Sequence, residues 1–349
     1  MGRRVLITGV SGYWGTELAR RLERSPEVEY IAGLDVRAPA ADLERTEFIR
    51  ADIRNPLITR LLPQTEVDTV VHCDVLLAAE PGKAPQQLHD INVIGSLQLL
   101  AACEKAPTVR TIVVRGSAAI YGAEPNAPEF FTEDMARRFP LRTRFQRDVG
   151  ELESYFENYA RRYPETTVMM LRYQPTLGSD IDSPLTRLLR QPVVPTQLGY
   201  DPLLQFVHTG DAVGALEAAV RRPVPGPVNV AGEGSISLVR LLRLAGKLPA
   251  PVPAPLFGVT LSAARRFGLP RLPEEAVRWL RHGLTIDCTR LTDEVGYRPR
   301  TTEEAVHDFL RGLHGRRVLP GMRDSSLGVP QISPIATGAL RETRSGSAT

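Results

Sequence analysis

Lysine is nearly missing from this 349-residue chain: Lys83, Lys105 and Lys247 are the only three, and arginine carries almost all of the basic charge. No lysine falls between positions 105 and 247, so chemistry that needs a lysine in that interval is excluded. Cysteine is as scarce. Cys73, Cys103 and Cys288 stand too far apart for a redox or metal spacing, which suits a reducing compartment. Six dispersed histidines add no ligand pattern, so no metal is expected. Long apolar runs are lacking too. The longest uncharged stretch, residues 248–264, contains four prolines and falls short of a membrane span. Met1-Gly2-Arg3-Arg4 is followed by no apolar export region, and a cytoplasmic location is the expectation. A net charge of +3 without a dense basic run argues against nucleic acid as a partner.

What is present is organised around one stretch. Val5-Leu6-Ile7-Thr8 reads as a short buried strand, Gly9-Val10-Ser11-Gly12-Tyr13-Trp14-Gly15 as a turn, and the residues after it as a helix. Such a turn lets a pyrophosphate approach the backbone. A Cβ at Gly9 or Gly12 would obstruct the turn or the phosphate, and Gly15 would let helix and strand pack closely. The amides that open the helix face the anion. A second strand ends at Asp35, 20 residues beyond Gly15. A carboxylate there accepts the ribose hydroxyls and repels a 2′-phosphate, which predicts NAD rather than NADP, with Arg37 as the opposing signal. Asp52 and Ile53 follow a third strand and are placed to flank an adenine.

Further strands at 67–72, 109–114 and 166–171 alternate with helices at 85–106 and 150–163. The pattern predicts an α/β doubly wound parallel sheet of the Rossmann type. Residues 1–172 read as the dinucleotide-binding domain, to which some later segments return. Residues 173–317 read as a smaller α/β substrate cap and 318–349 as a disordered tail. Within the cap, a proline-stiffened arm at 249–255 leads to an apolar segment and Arg265-Arg266. That segment is either core or a peripheral contact with a membrane surface or partner subunit.

Taken in order, these motifs resemble the extended short-chain dehydrogenases/reductases, and within them the NAD-dependent epimerase/dehydratase family in its UDP-glucose 4-epimerase-like form. The resemblance is carried also by Asn92-Val93-x-Gly95, Ser117-x-x-x-Tyr121-Gly122, Leu171-Arg172-Tyr173, Phe206-Val207-His208-x-x-Asp211, Asn229-Val230 and Gly296-Tyr297-x-Pro299. It implies a nucleotide-sugar substrate, a homodimer built on the helices at 85–106 and 150–163, and NAD across the carboxyl edge of the sheet. The implied cofactor contacts are Gly9, Gly12, Tyr13, Trp14, Gly15, Asp35, Arg37, Asp52, Ile53, Cys73, Asp74, Asn92 and Ser117. It further implies a Tyr-x-x-x-Lys pair and a Ser or Thr for proton transfer, and Ser117 stands at the latter position.

The pair itself is missing. No tyrosine has a lysine four residues later, and Phe145 and Val149 occupy the expected positions. Cys73-Asp74-Val75 replaces the usual Leu-Ala-Ala, Pro175 the sugar-site asparagine, and Leu204-Gln205 stand where an arginine is usual. Asp74, Asp148 and Glu151 are candidate replacement bases by neighbourhood, with Arg147 nearby. Two readings follow: a nucleotide-sugar epimerase or oxidoreductase with a rebuilt acid-base centre, or a non-catalytic NAD-binding redox sensor, scaffold or regulator.

Overall fold

A computed structural model describes residues 2–75, 85–264 and 272–317; the tail at 318–349 and Arg265-Arg266 lie outside them. Seven strands build the central sheet: β1 Arg3–Thr8, β2 Val28–Asp35, β3 Thr46–Arg50, β4 Thr69–His72, β5 Thr111–Ser117, β6 Thr167–Tyr173 and β7 Gly226–Val230. Their order is β7-β6-β5-β4-β1-β2-β3 and every pairing is parallel. The doubly wound sheet is therefore as expected. Chain direction across the sheet reverses at β1, so a crevice opens at the carboxyl ends of β1 and β4, where such sheets take their ligands.

Alternation along β1 sorts its side chains onto two cores. Val5 and Ile7 pack with Leu18 and Leu22 of the helix Tyr13–Glu23 and with Val213 and Leu216 of the helix Thr209–Arg221. Leu6 joins Val70, Leu99, Leu152 and Phe156 on the opposite face. A third core ties the carboxyl edge to the later chain: Tyr121, Phe131 and Val149 pack with Leu204, Phe206, Trp279 and Phe309.

Several elements depart from the expectation. The helix expected from 150 begins at Arg144 and runs to Arg162, started by a capping box in which Thr143 and Gln146 exchange side-chain-to-backbone bonds. The helix expected at 85–106 is interrupted: Pro85–His89 and Ser96–Glu104 flank a π-helical stretch, Asp90–Gly95. The proline arm pairs as a strand, Leu248–Val252, with Val193–Gln197. Phe257, beyond it, is buried against Val252, whereas Leu256 and Val259 are exposed. Among the described residues no helix is long and apolar enough to cross a membrane.

Candidate functional site

Two cavities meet at the carboxyl edge of the sheet. The first, about 590 Å³, runs along the glycine turn and the ends of β2 and β4. Gly9 has φ +68°, and a Cβ there would lie 3.1 Å from the Asp74 backbone, so the turn itself needs glycine. Gly15 packs tighter still: a Cβ would lie 2.3 Å from the Gly9 carbonyl oxygen. Gly12 is different. Its Cβ would meet Gly9 O at 3.4 Å, so a side chain here spares the turn, and of the two expected obstructions only that of a phosphate is left. Space beside Gly12 is instead left open at the start of the helix Tyr13–Glu23, where no side chain caps the first amides. An open cradle with free helix-opening N–H groups fits a pyrophosphate.

Asp35 ends β2 on the same wall. Its carboxylate accepts from Ser11 N at 3.1 Å and Val36 N at 2.7 Å, which pins the turn to the strand end. A carboxylate has lone pairs left for two ribose hydroxyls. Arg37 also lines this cavity, and so do Asp52 and Ile53. Asp52 is gripped by Arg54, with Nη2 at 2.6 Å, and this hydrogen bond holds its pKa below the usual range. Arg54 lines the wall too and was not among the residues expected from sequence. Tyr13, Trp14, Cys73 and Asp74 complete the wall toward the second cavity. The Cys73 thiol is pushed up to about 12 by burial, which makes it inert.

Two expected contacts do not reach this cavity. Asn92 is buried in the π-helical stretch, and Ile91 takes the wall position. Ser117 instead lines the second cavity, of about 280 Å³, with Phe145, Tyr173 and Trp279. Trp14 and Arg115 belong to both walls. Arg115 is buried at the end of β5 with its guanidinium 4.2 Å over the Trp14 ring. Burial lowers its pKa to about 10, so it stays charged at neutral pH. Tyr173 packs edge-on to Trp14 at 5.1 Å.

The acid-base inventory around Ser117 is short. Ser117 Oγ accepts from Ala119 N at 3.2 Å, leaving its own proton available. Phe145 lines the wall, while Val149 is in the core. Tyr173 donates to Ala212 O at 3.0 Å, and burial raises its pKa well above normal. Tyr121 is held in a buried network: it donates to Asn229 Oδ1 at 2.6 Å and accepts from Arg172 Nη1 at 2.9 Å. Of the candidate replacement bases, Asp148 pairs with His89 at 2.9 Å and Glu151 accepts from the Tyr155 hydroxyl; neither lines this cavity. Asp74 lies on the wall of the larger cavity. His72, behind the wall, is neutral, since burial pushes its pKa down to about 3. Ser96 Oγ gives its single proton to Asn92 O, so it accepts from His72 Nε2–H, and Nδ1 accepts from Thr8. Among the described residues no group of three or more His, Cys, Asp or Glu is placed to hold a metal ion.

The parallel sheet, the glycine turn at its switch point and the acid ending β2 define a Rossmann-type fold of the kind that takes dinucleotides. The profile of the NAD dependent epimerase/dehydratase family matches residues 5–231, and the chain belongs to that family. An uncharacterized protein of Mycobacterium tuberculosis is 39% identical over 315 residues, covering 88% of this chain and 83% of that one. Among solved structures, MoeE5 in complex with UDP-glucuronic acid and NAD superposes with a TM-score of 0.68 at 23% identity, covering 90% of this chain and 100% of that one. The UDP-glucose 4-epimerase of Thermotoga maritima with UDP-glucose gives 0.66 at 19% identity, covering 90% and 99%. At these identities the two structures speak for the fold.

Proposed function

We propose that this chain binds NAD in the larger cavity and a second ligand in the smaller one, and that it does not interconvert nucleotide-sugars by tyrosine–lysine proton transfer. One observation carries the reading: Phe145 lines the wall beside Ser117, and Val149 is sealed in the core. A phenyl ring holds no exchangeable proton and an isopropyl group binds no ribose. Losing a positioned general base costs about 10²–10⁴ in rate. When bound, NAD would supply a hydride acceptor; Gly12, the first helix amides and Asp35 would hold it. The protein then acts as an NAD-dependent binding or regulatory protein. Support for NAD over NADP is the Asp35 carboxylate at the end of β2, with Arg37 and Arg54 on the same wall as the contrary charges.

A second reading, a nucleotide-sugar oxidoreductase with a rebuilt centre, draws on the available Ser117 proton and on Glu275, the one carboxylate of the smaller wall among the described residues. Calorimetric titration with NAD and NADP, followed by NMR of the NAD-loaded protein with UDP-glucose or UDP-galactose, separates the two. The expected result is tighter binding of NAD and no interconversion. Turnover that disappears in Ser117→Ala would sink the first reading and install the second.

A further inference from the structure

Hydrogen-bonding capacity is left unused in one place. Among the described residues, four buried side-chain atoms have no partner: Arg115 Nε, Gln174 Oε1, Arg278 Nε and Trp279 Nε1. All four belong to residues that line the smaller cavity. Buried polar atoms are ordinarily paired, and an orphan calls for an explanation such as an absent ligand. Four orphans around one cavity call for a common explanation.

The kinds of atom narrow the ligand. Three are N–H donors and one is an acceptor, so the ligand must be richer in acceptors than in donors. The charges point the same way. Arg278 is paired with Glu124 at 2.5 Å. Arg115 forms no salt bridge among the described residues. Its Nη1 donates to the carbonyls of Cys73 at 3.2 Å and Val75 at 2.8 Å, while Nε is one of the four atoms without a partner. Asp74 acts on it through its field, and Glu275 on the wall is half-buried. Among the described residues this buried guanidinium has no ion-pair partner. Elsewhere the wall is mostly apolar, with Trp14, Phe145, Pro175, Leu185 and Leu284 beside the polar Ser117, Gln146, Thr176, Ser183 and Glu275. Sugar hydroxyls, each needing an acceptor as well as a donor, suit it poorly. At about 280 Å³ the cavity suits a compact ligand.

We infer that the smaller cavity binds a compact, largely apolar carboxylic acid, its carboxylate taken by Arg115 and a hydroxyl or N–H of the ligand meeting Gln174. This rests on the reading above that the cavity is a second-ligand site. The orphan atoms are buried in the wall, so contact with the ligand requires their side chains to turn towards the cavity as it enters.

Trp14 and Trp279 are the only tryptophans in the chain, and both line this cavity, so intrinsic fluorescence of the full chain reports its occupancy. The probes are cyclohexanecarboxylate, its neutral isostere cyclohexanecarboxamide, and UDP-glucose, each titrated with and without saturating NAD. The acid should bind at least about tenfold tighter than the amide, as a charge-assisted hydrogen bond implies. Arg115→Met should remove that preference and Arg115→Lys restore part of it. Equal affinity for acid and amide, an undiminished preference in Arg115→Met, or saturation by UDP-glucose that excludes the acid would overturn the inference. If circular dichroism shows Arg115→Met unfolded, the wild-type acid-to-amide ratio decides alone. A chain that ignores NAD yet keeps the acid preference refutes the function proposed above and leaves this inference standing.

Discussion

Two glycines of the same turn should fail in opposite ways. At Gly15 an added Cβ would lie 2.3 Å from Gly9 O and 2.6 Å from Val10 Cα. Those atoms are backbone, and the separations fall about 1 Å inside the ~3.5 Å at which packed atoms attract. No rotamer relieves the clash, so the helix Tyr13–Glu23 must move off the turn. Overpacking of this kind costs about 1–3 kcal/mol, against which alanine regains up to about 1 kcal/mol as a better helix former than glycine. Gly15→Ala should therefore lose about 1–2 kcal/mol, a melting shift of roughly 2–8 °C at about 2–4 °C per kcal/mol. At Gly12 the backbone is extended, φ −80° and ψ 161°, and a Cβ makes one ordinary contact at 3.4 Å. Gly12→Ala should leave the free protein within about 0.5 kcal/mol of wild type. The same methyl fills the proposed pyrophosphate cradle, so NAD affinity should fall by at least about tenfold, or 1.4 kcal/mol. Urea denaturation of the free protein and calorimetric NAD titration measure the two effects. A Gly12→Ala protein that binds NAD like wild type, or a Gly15→Ala protein with an unchanged urea midpoint, would refute the reasoning.

Two further predictions concern buried charge. His72 is neutral when folded, with a pKa near 3, and takes up a proton at about 6.5 when unfolded. The unfolded chain thus binds more protons below pH 6.5. The His72 contribution is complete above that pH and declines by about 1.4 kcal/mol per unit down towards pH 3. In urea midpoints measured from pH 7 to 4, His72→Gln should lose this part of the slope; an unchanged slope removes the argument. Arg172 and Glu153 form a two-pronged ion pair at 2.8–2.9 Å with both side chains 2% exposed. Arg172→Met leaves Glu153 buried and unpaired and should cost about 3–5 kcal/mol. Arg172→Met with Glu153→Leu should recover most of it, and equal losses in the single and double variants would contradict the account.

The sheet was legible because parallel strands covered on both faces are apolar runs, as Val5-Leu6-Ile7 and Thr69-Val70-Val71 are. The place of β7 beside β6 was not legible, since pairing across that distance leaves no local mark. The start of the helix Arg144–Arg162 was not legible because its first turn holds a single apolar residue, Phe145, and its start signal is the Thr143–Gln146 box rather than an apolar stripe. The π-helical stretch was read as regular helix because a single widened turn shifts the side-chain period too little to see. Half of the site was visible: the glycine turn, Asp35 and the loss of the Tyr–Lys pair are local or positional signals. The smaller cavity was not, because its wall joins Arg115, Gln174 and Trp279 from three distant segments. A clue did exist. Arg115 and Arg172 each interrupt an otherwise apolar strand, and a cation at such a position must find a partner inside the protein.

The position of β7 bears on how the chain reaches its fold. β6 lies between β5 and a strand that ends at Val230, so during synthesis its outer edge stays unpaired until everything between them has left the ribosome. Throughout that interval Met169, Leu171 and Tyr173 present open backbone groups beside apolar side chains, a template for pairing with another nascent chain. The sheet that carries both cavities is thus completed late, and a chain interrupted before β7 carries an apolar edge uncovered.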